Sequence, residues 1–162
     1  MRRRIRTLVV DDNPVAMKAI CSVVDNTEAL DLAGAAGNGA EALEQMANLH
    51  PNLILMDVCM PQMSGLEATV RLRQRFPKVR VIIVTDHQDK NVRHFCLEIG
   101  AHGFVAKAQL AQELDGQITR LFGAPGRNEN LESIAEMNTI ERRLNSKIAA
   151  TAVALIGLAV RV

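Results

Sequence analysis

The chain has 162 residues, 48% of them hydrophobic, and a formal net charge of +1. That suits one ordinary domain plus an extension, with no general electrostatic pull toward nucleic acid or membrane. Aromatic residues make up 2%, with neither Trp nor Tyr, which argues against a base-stacking or carbohydrate platform. The cysteines Cys21, Cys59 and Cys96 form no CxxC pair and fit a reducing cytosol. His50, His87, His94 and His102 show no metal-ligand spacing. The basic start Met1-Arg2-Arg3-Arg4 leads into an apolar run that ends at Asp11, too short for a signal-peptide core. It reads as a solvated leader, and a cytoplasmic location is the expectation.

Thr7–Val10 is an apolar, β-branched run that ends in Asp11-Asp12. Asn13-Pro14 supplies an N-cap and a proline for the first helical position, and Ala16, Ile20, Val23 and Val24 recur at helical spacing. Leu32–Ala36 is a weaker strand, and Asn38 and Glu41 open a second helix with Leu43, Met46 and Ala47 inward. Leu53–Met56 is wholly apolar and runs into Asp57. That is the pattern of a strand buried on both faces whose charge stands at the strand mouth. Ser64-Gly65-Leu66-Glu67 is a capping-box pattern opening a helix to about Arg75, stopped by Pro77. Val79–Val84 is the fourth strand, ending at Thr85. Asp89 caps a fourth helix carrying Val92, Phe95, Cys96 and Ile99, and Gly100 ends it. Gly103–Ala106 is the fifth strand and runs into Lys107; Leu110, Leu114, Ile118, Leu121 and Phe122 mark the last helix, closed by Gly123.

Alternating strands and helices imply parallel βαβ units and a sheet covered on both faces. The site of such a sheet lies outside the carboxyl ends of its strands. Those ends carry Asp11, Asp12, Asp57, Thr85 and Lys107. Crowded carboxylates repel and raise one another's pKa, and a hard cation such as Mg²⁺ relieves them. Cys59 is the nearby thiol, so nothing favours zinc. With the metal, one carboxylate can act as a nucleophile toward phosphorus. The three oxygens of a phosphoryl group in flight would be held by Mg²⁺, the Lys107 ammonium and the Thr85 hydroxyl.

The residues Leu8-Val9-Val10-Asp11-Asp12, Leu55-Met56-Asp57 with Met60-Pro61 and Gly65, Thr85, and Gly100–Lys107 resemble the receiver domain of two-component response regulators. The resemblance spans residues 5–123, about three quarters of the chain, and is closest to regulators carrying a LuxR-type helix-turn-helix. It implies a flavodoxin-like (βα)5 fold, a doubly wound five-stranded parallel sheet in the order 2-1-3-4-5. Asp57 is then the phospho-acceptor. Asp12, Asp57 and the Cys59 backbone carbonyl hold Mg²⁺ (or Mn²⁺) directly, and Asp11 acts mainly through metal-bound water. Thr85 and Phe104 are the switch pair, and Lys107 completes the catalytic set. The implied phospho-donor is a sensor histidine kinase or phosphotransfer protein, and the implied output face is helix four, strand five and helix five. One residue departs from the family: Asp86 follows Thr85 where a small residue is usual, and its carboxylate is expected to repel an incoming donor.

The composition changes at Gly123-Ala124-Pro125-Gly126, a breaker cluster. The expected domains are a receiver over 1–123, a linker over 124–128 and a helical tail over 129–162. Over 127–148, Leu131, Ile134, Met137, Ile140 or Glu141, Leu144 and Ile148 form an apolar stripe, with Glu129, Glu132, Glu136 and Glu141 set against Arg127, Arg142, Arg143 and Lys147. That is an amphipathic helix near coiled-coil spacing. Ile148–Val160 is apolar apart from Thr151, short of the ~18–20 residues of a membrane span. The tail is read as a homodimer seam, with packing back on the receiver and a truncated second domain as alternatives. Its balanced charge gives no basic stripe, so direct DNA binding is not expected. The competing functional reading is a receiver-like docking module that works through its tail without phosphorylation. A phosphohydrolase on a related fold, with a DxD acid pattern, is disfavoured by the adjacent Asp11-Asp12 pair.

Overall fold

The computed structural model describes residues 4–87 and 89–123. Five strands and five helices alternate: β1 (Ile5–Val10), α1 (Pro14–Asp25), β2 (Leu30–Ala36), α2 (Gly39–Leu49), β3 (Leu53–Met56), α3 (Gly65–Arg75), β4 (Arg80–Thr85), α4 (Lys90–Glu98), β5 (Gly103–Ala106) and α5 (Leu110–Phe122). A 3₁₀ turn, Lys107–Gln109, links β5 to α5. The strands are parallel, in the order β2-β1-β3-β4-β5. The fold is therefore the flavodoxin-like one, and the strand order reverses between β1 and β3. The tail expectations lie outside the described residues.

Side-chain alternation along the strands divides the core in two. Leu8, Val10, Ile54, Met56, Val81, Ile83 and Phe104 pack with Met46, Ala68, Leu72 and Cys96 of α2, α3 and α4. Val9, Leu53, Leu55, Ile82, Val84 and Val105 pack with Ile20, Val24, Leu114 and Ile118 of α1 and α5. All four residues of β3 are at most 1% exposed. Each such side chain contributes about 1.5–3 kcal/mol by leaving water, so the strand that ends at Asp57 is anchored on both faces.

The helix starts reflect the local chemistry. Asn13 Oδ1 accepts from the Val15 and Ala16 N–H groups, and Asp89 Oδ1 accepts from Asn91. Asn38 Oδ1 caps Ala40 and Glu41, while Glu41 reaches back to the Gly37 N–H at 2.7 Å. At α3 only half of the capping box forms: Ser64 Oγ accepts from the Glu67 N–H, whereas the Glu67 carboxylate pairs with Arg71 one turn on.

Strand boundaries differ from the sequence pattern where a neighbouring chain segment supplies the partner. The Ile5 N–H donates to the Ala29 carbonyl, and Ile5 and Arg6 pair with Leu30 and Asp31, so β1 and β2 each begin two residues early. β4 begins one residue late, at Arg80, whose N–H donates to the Asn52 carbonyl. Ala47 is exposed; the buried face of α2 is Gly39, Ala42 and Met46. Phe122, expected on the inner face of α5, is 37% exposed.

Candidate functional site

The ladder ends set the site. Asp11 comes directly after β1, its N–H donating to the Ala36 carbonyl, and Asp57 directly after β3, its N–H donating to the Val10 carbonyl at 2.9 Å. These two bonds hold the backbones of the two acids against neighbouring strand ends. Asp11 is 1% exposed and Asp57 5%, while Asp12 faces solvent. Asp11, Asp12 and Asp57 can each bring one carboxylate oxygen within 4.8 Å of the others. Lys107, just past β5, completes the group, with Nζ 2.6 Å from Asp11 Oδ2 and 3.3 Å from Asp57 Oδ1.

Two nearly dry carboxylates face one ammonium. Burial pushes the Asp57 carboxyl above the usual carboxylate range; Lys107 pulls it down and Asp11 pushes it up further, leaving the net shift upward. For Lys107, burial works to lower the pKa, but its close contact with Asp11 and the pull of both carboxylates outweigh this and raise it. The ammonium therefore stays charged at neutral pH. Asp57 Oδ2 accepts from the Cys59 N–H at 3.2 Å, and Asp11 Oδ1 accepts from the Asn13 N–H at 2.9 Å. Asp11 Oδ2 is buried and meets Lys107 as a close ion pair without the angle of a hydrogen bond. A buried, incompletely satisfied oxygen among hard oxygen donors is what a small divalent cation fits.

Of the other anticipated residues, Thr85 is fully buried at the end of β4, beside Ala106 in the ladder, and its Oγ1 accepts from the His87 N–H at 3.3 Å. Phe104 is buried in the sheet, with the Arg93 guanidinium of α4 5.7 Å above its ring centroid. Cys59 is exposed in the loop after β3. Asp86 is exposed at the rim.

Two features go beyond what the sequence pattern signals. Gly65 opens α3 against the acid-bearing loop: its N–H donates to the Val58 carbonyl, and a Cβ there would lie 1.7 Å from the Asp57 carbonyl oxygen. The Gly in the capping-box pattern hints at a helix start, but not at this collision. At the far end of the sheet, His102 precedes β5. Its Nδ1 accepts from the Val81 N–H at 3.0 Å, and its own N–H donates to the Val81 carbonyl at 2.7 Å. Burial, aided by Arg73, Arg80 and Arg120, drives its pKa down to about 3. A lone His among glycines carries no periodicity that would reveal this bridge.

The family profile described as the response regulator receiver domain matches residues 7–119. The chain is 34% identical over 118 residues to the response regulator GacA of Pseudomonas viridiflava, covering 73% of this chain and 55% of that protein. It is 28% identical over 141 residues to the response regulator protein VraR of Staphylococcus saprophyticus, covering 87% of this chain and 64% of that one. The chain thus spans between about half and two thirds of these relatives. The crystal structure of the response regulator domain of Thermotoga maritima CheB superposes with a TM-score of 0.69 at 29% identity, covering 76% of this chain and 99% of that one. No helix among the described residues is long and apolar enough to cross a membrane.

Proposed function

The chain belongs to the response regulator receiver domain family of two-component systems, and from that premise we propose that it is a phospho-accepting switch with Asp57 as the acceptor. The carrying observation is the buried Asp57 carboxylate, 3.3 Å from Lys107 Nζ and clustered with Asp11 and Asp12. Asp11, Asp12, Asp57 and the Cys59 carbonyl would hold Mg²⁺, or Mn²⁺ in its place. When bound, the ion neutralises charge on the carboxylates and on the phosphoryl oxygens.

In the reaction a carboxylate oxygen of Asp57 attacks the phosphorus of a phosphohistidine on a sensor kinase or phosphotransfer protein. The O–P bond forms, the P–N bond breaks, and the donor imidazole leaves with the electron pair and takes a proton from solvent. Lys107, already paired with Asp57, is placed to shift toward a phosphoryl oxygen. Thr85 would exchange its contact with the His87 N–H for a second oxygen, and Phe104 would move with it as the switch residue. Phosphate then needs only to favour one of two existing conformations. The output is altered self-association or partner binding, through the α4–β5–α5 face or the tail, in the cytoplasm.

The test is intact mass with Mg²⁺ and acetyl phosphate, beside Asp57→Ala. A gain of one phosphoryl group that Asp57→Ala loses supports the switch. No gain in the wild type overturns it and leaves the docking module that acts through its tail.

A further inference from the structure

The end of the sheet opposite Asp57 carries its own charge cluster. Arg120, in the last turn of α5, donates to the His102 carbonyl and to Gln117. Arg73 of α3 lies against Gly100 and donates to the Pro77 carbonyl at 3.0 Å. Arg80 starts β4, its N–H bonded to the Asn52 carbonyl at 2.9 Å. The charges of all three arginines act to hold the His102 imidazole neutral. Across that Asn52–Arg80 link lies a largely apolar cavity of about 390 Å³, lined by Met46, Phe76 and Val79 together with His50 and Lys78. Cationic and apolar surfaces are therefore continuous across the N-terminal ends of β3, β4 and β5.

The chain leaves the domain from this same end. Gly123 comes three residues after Arg120, and the sequence beyond carries Glu129, Glu132 and Glu136 interleaved with Leu131, Ile134 and Met137. We propose that segment 128–148 docks in cis on this end of its own receiver. Its glutamates face Arg73, Arg80 and Arg120, and its apolar residues face the cavity. The reach suffices: six residues from Gly123 to Glu129 extend to about 20 Å, while crossing from β5 to β3 takes about 10 Å and passing from the α5 face of the sheet to the α2–α3 face about 10 Å at right angles to it. Exposed ion pairs are individually weak, but a short tether supplies a local concentration on the order of millimolar.

The test is hydrogen exchange of the full-length chain, read over 128–148. Glu129→Lys/Glu132→Lys/Glu136→Lys, which alters nothing in the receiver, and Arg80→Glu/Arg120→Glu are each expected to speed exchange there about tenfold. Combining the two sets should restore protection, since a charge swap re-forms opposed pairs. Unchanged melting of the receiver in the glutamate variant separates release from unfolding. Exchange that ignores the glutamate substitutions overturns the proposal, as does protection that disappears on tenfold dilution, which would place a second copy on the surface instead.

Discussion

At the residue scale the site is a problem of charge in a dry place. Lys107 is the contact that keeps Asp11 and Asp57 from facing each other uncompensated. Lys107→Ala should therefore slow labelling of Asp57 by acetyl phosphate by about two orders of magnitude, the scale seen when one positioned donor is removed from a transferring group; labelling at the wild-type rate would remove Lys107 from the chemistry. Asp86 stands at the rim with its side chain in solvent, where a carboxylate repels an anionic donor. Asp86→Ala should label faster than wild type at low salt, with the difference shrinking as salt screens it; equal rates would dispose of the idea. Gly65 acts through shape alone. A methyl at that position would meet the Asp57 carbonyl carbon at 2.8 Å and its oxygen closer still, so the loop must move. Gly65→Ala should lose about 2–3 kcal/mol in urea denaturation and label poorly; a fully stable variant would mean that the loop yields cheaply.

At the element scale, the strands and helices were legible because their patterns are local. A four-residue strand buried on both faces is apolar throughout, as Leu53–Met56 is, and helix starts announce themselves through Asn13, Asn38, Ser64 and Asp89. The candidate site was legible for a related reason: parallel strands deliver the residues just past their ends to one edge, so Asp11, Asp57 and Lys107 meet although they are far apart in the chain. The features that stayed hidden depend on register. Ile5 joins β1 because Ala29 lies opposite it, and no feature of Ile5 itself says so. His102 serves β4 only once Val81 stands beside it, and the same holds for the arginines around it. That element junction has a pH signature. The folded-state pKa of His102, about 3, lies below its ordinary value of 6.5. Below 6.5 the unfolded chain binds a proton that the folded chain refuses. Its contribution is therefore complete above pH 6.5 and is lost as pH falls from 6.5 toward 3, by up to about 1.4 kcal/mol per pH unit. His102→Gln should flatten the stability profile across that window, measured by urea midpoints; an unchanged slope would show that the ring is protonated within the fold.

For the whole molecule, the two ends of the sheet carry opposite charge. At the carboxyl end, three carboxylates against one ammonium leave two negative charges where three loops converge. The raised pKa of Asp57 makes this a stability statement. A carboxyl whose folded pKa exceeds its unfolded value favours the fold at low pH, and that benefit is lost as pH rises through the folded pKa. Without a cation, then, the ionised Asp57 works against the fold at neutral pH. Asp57→Asn should raise the thermal midpoint in chelator by a few degrees. A bound divalent ion should do the same for the wild type by mass action, contributing about 2.7 kcal/mol at a hundredfold excess over its dissociation constant, or about 10 °C for a domain of this size. Screening predicts a different pattern, because NaCl matched in ionic strength acts on exposed charges and reaches buried ones far less. Melting curves in EDTA, in Mg²⁺ and in matched NaCl separate the two. The expected order for the wild type is EDTA lowest, NaCl slightly higher and Mg²⁺ well above both. Asp11→Asn should start higher in EDTA and gain little from Mg²⁺, since it lacks one of the two buried carboxylates. If Asp11→Asn gained as much from Mg²⁺ as the wild type does, the ion would be acting elsewhere on the surface.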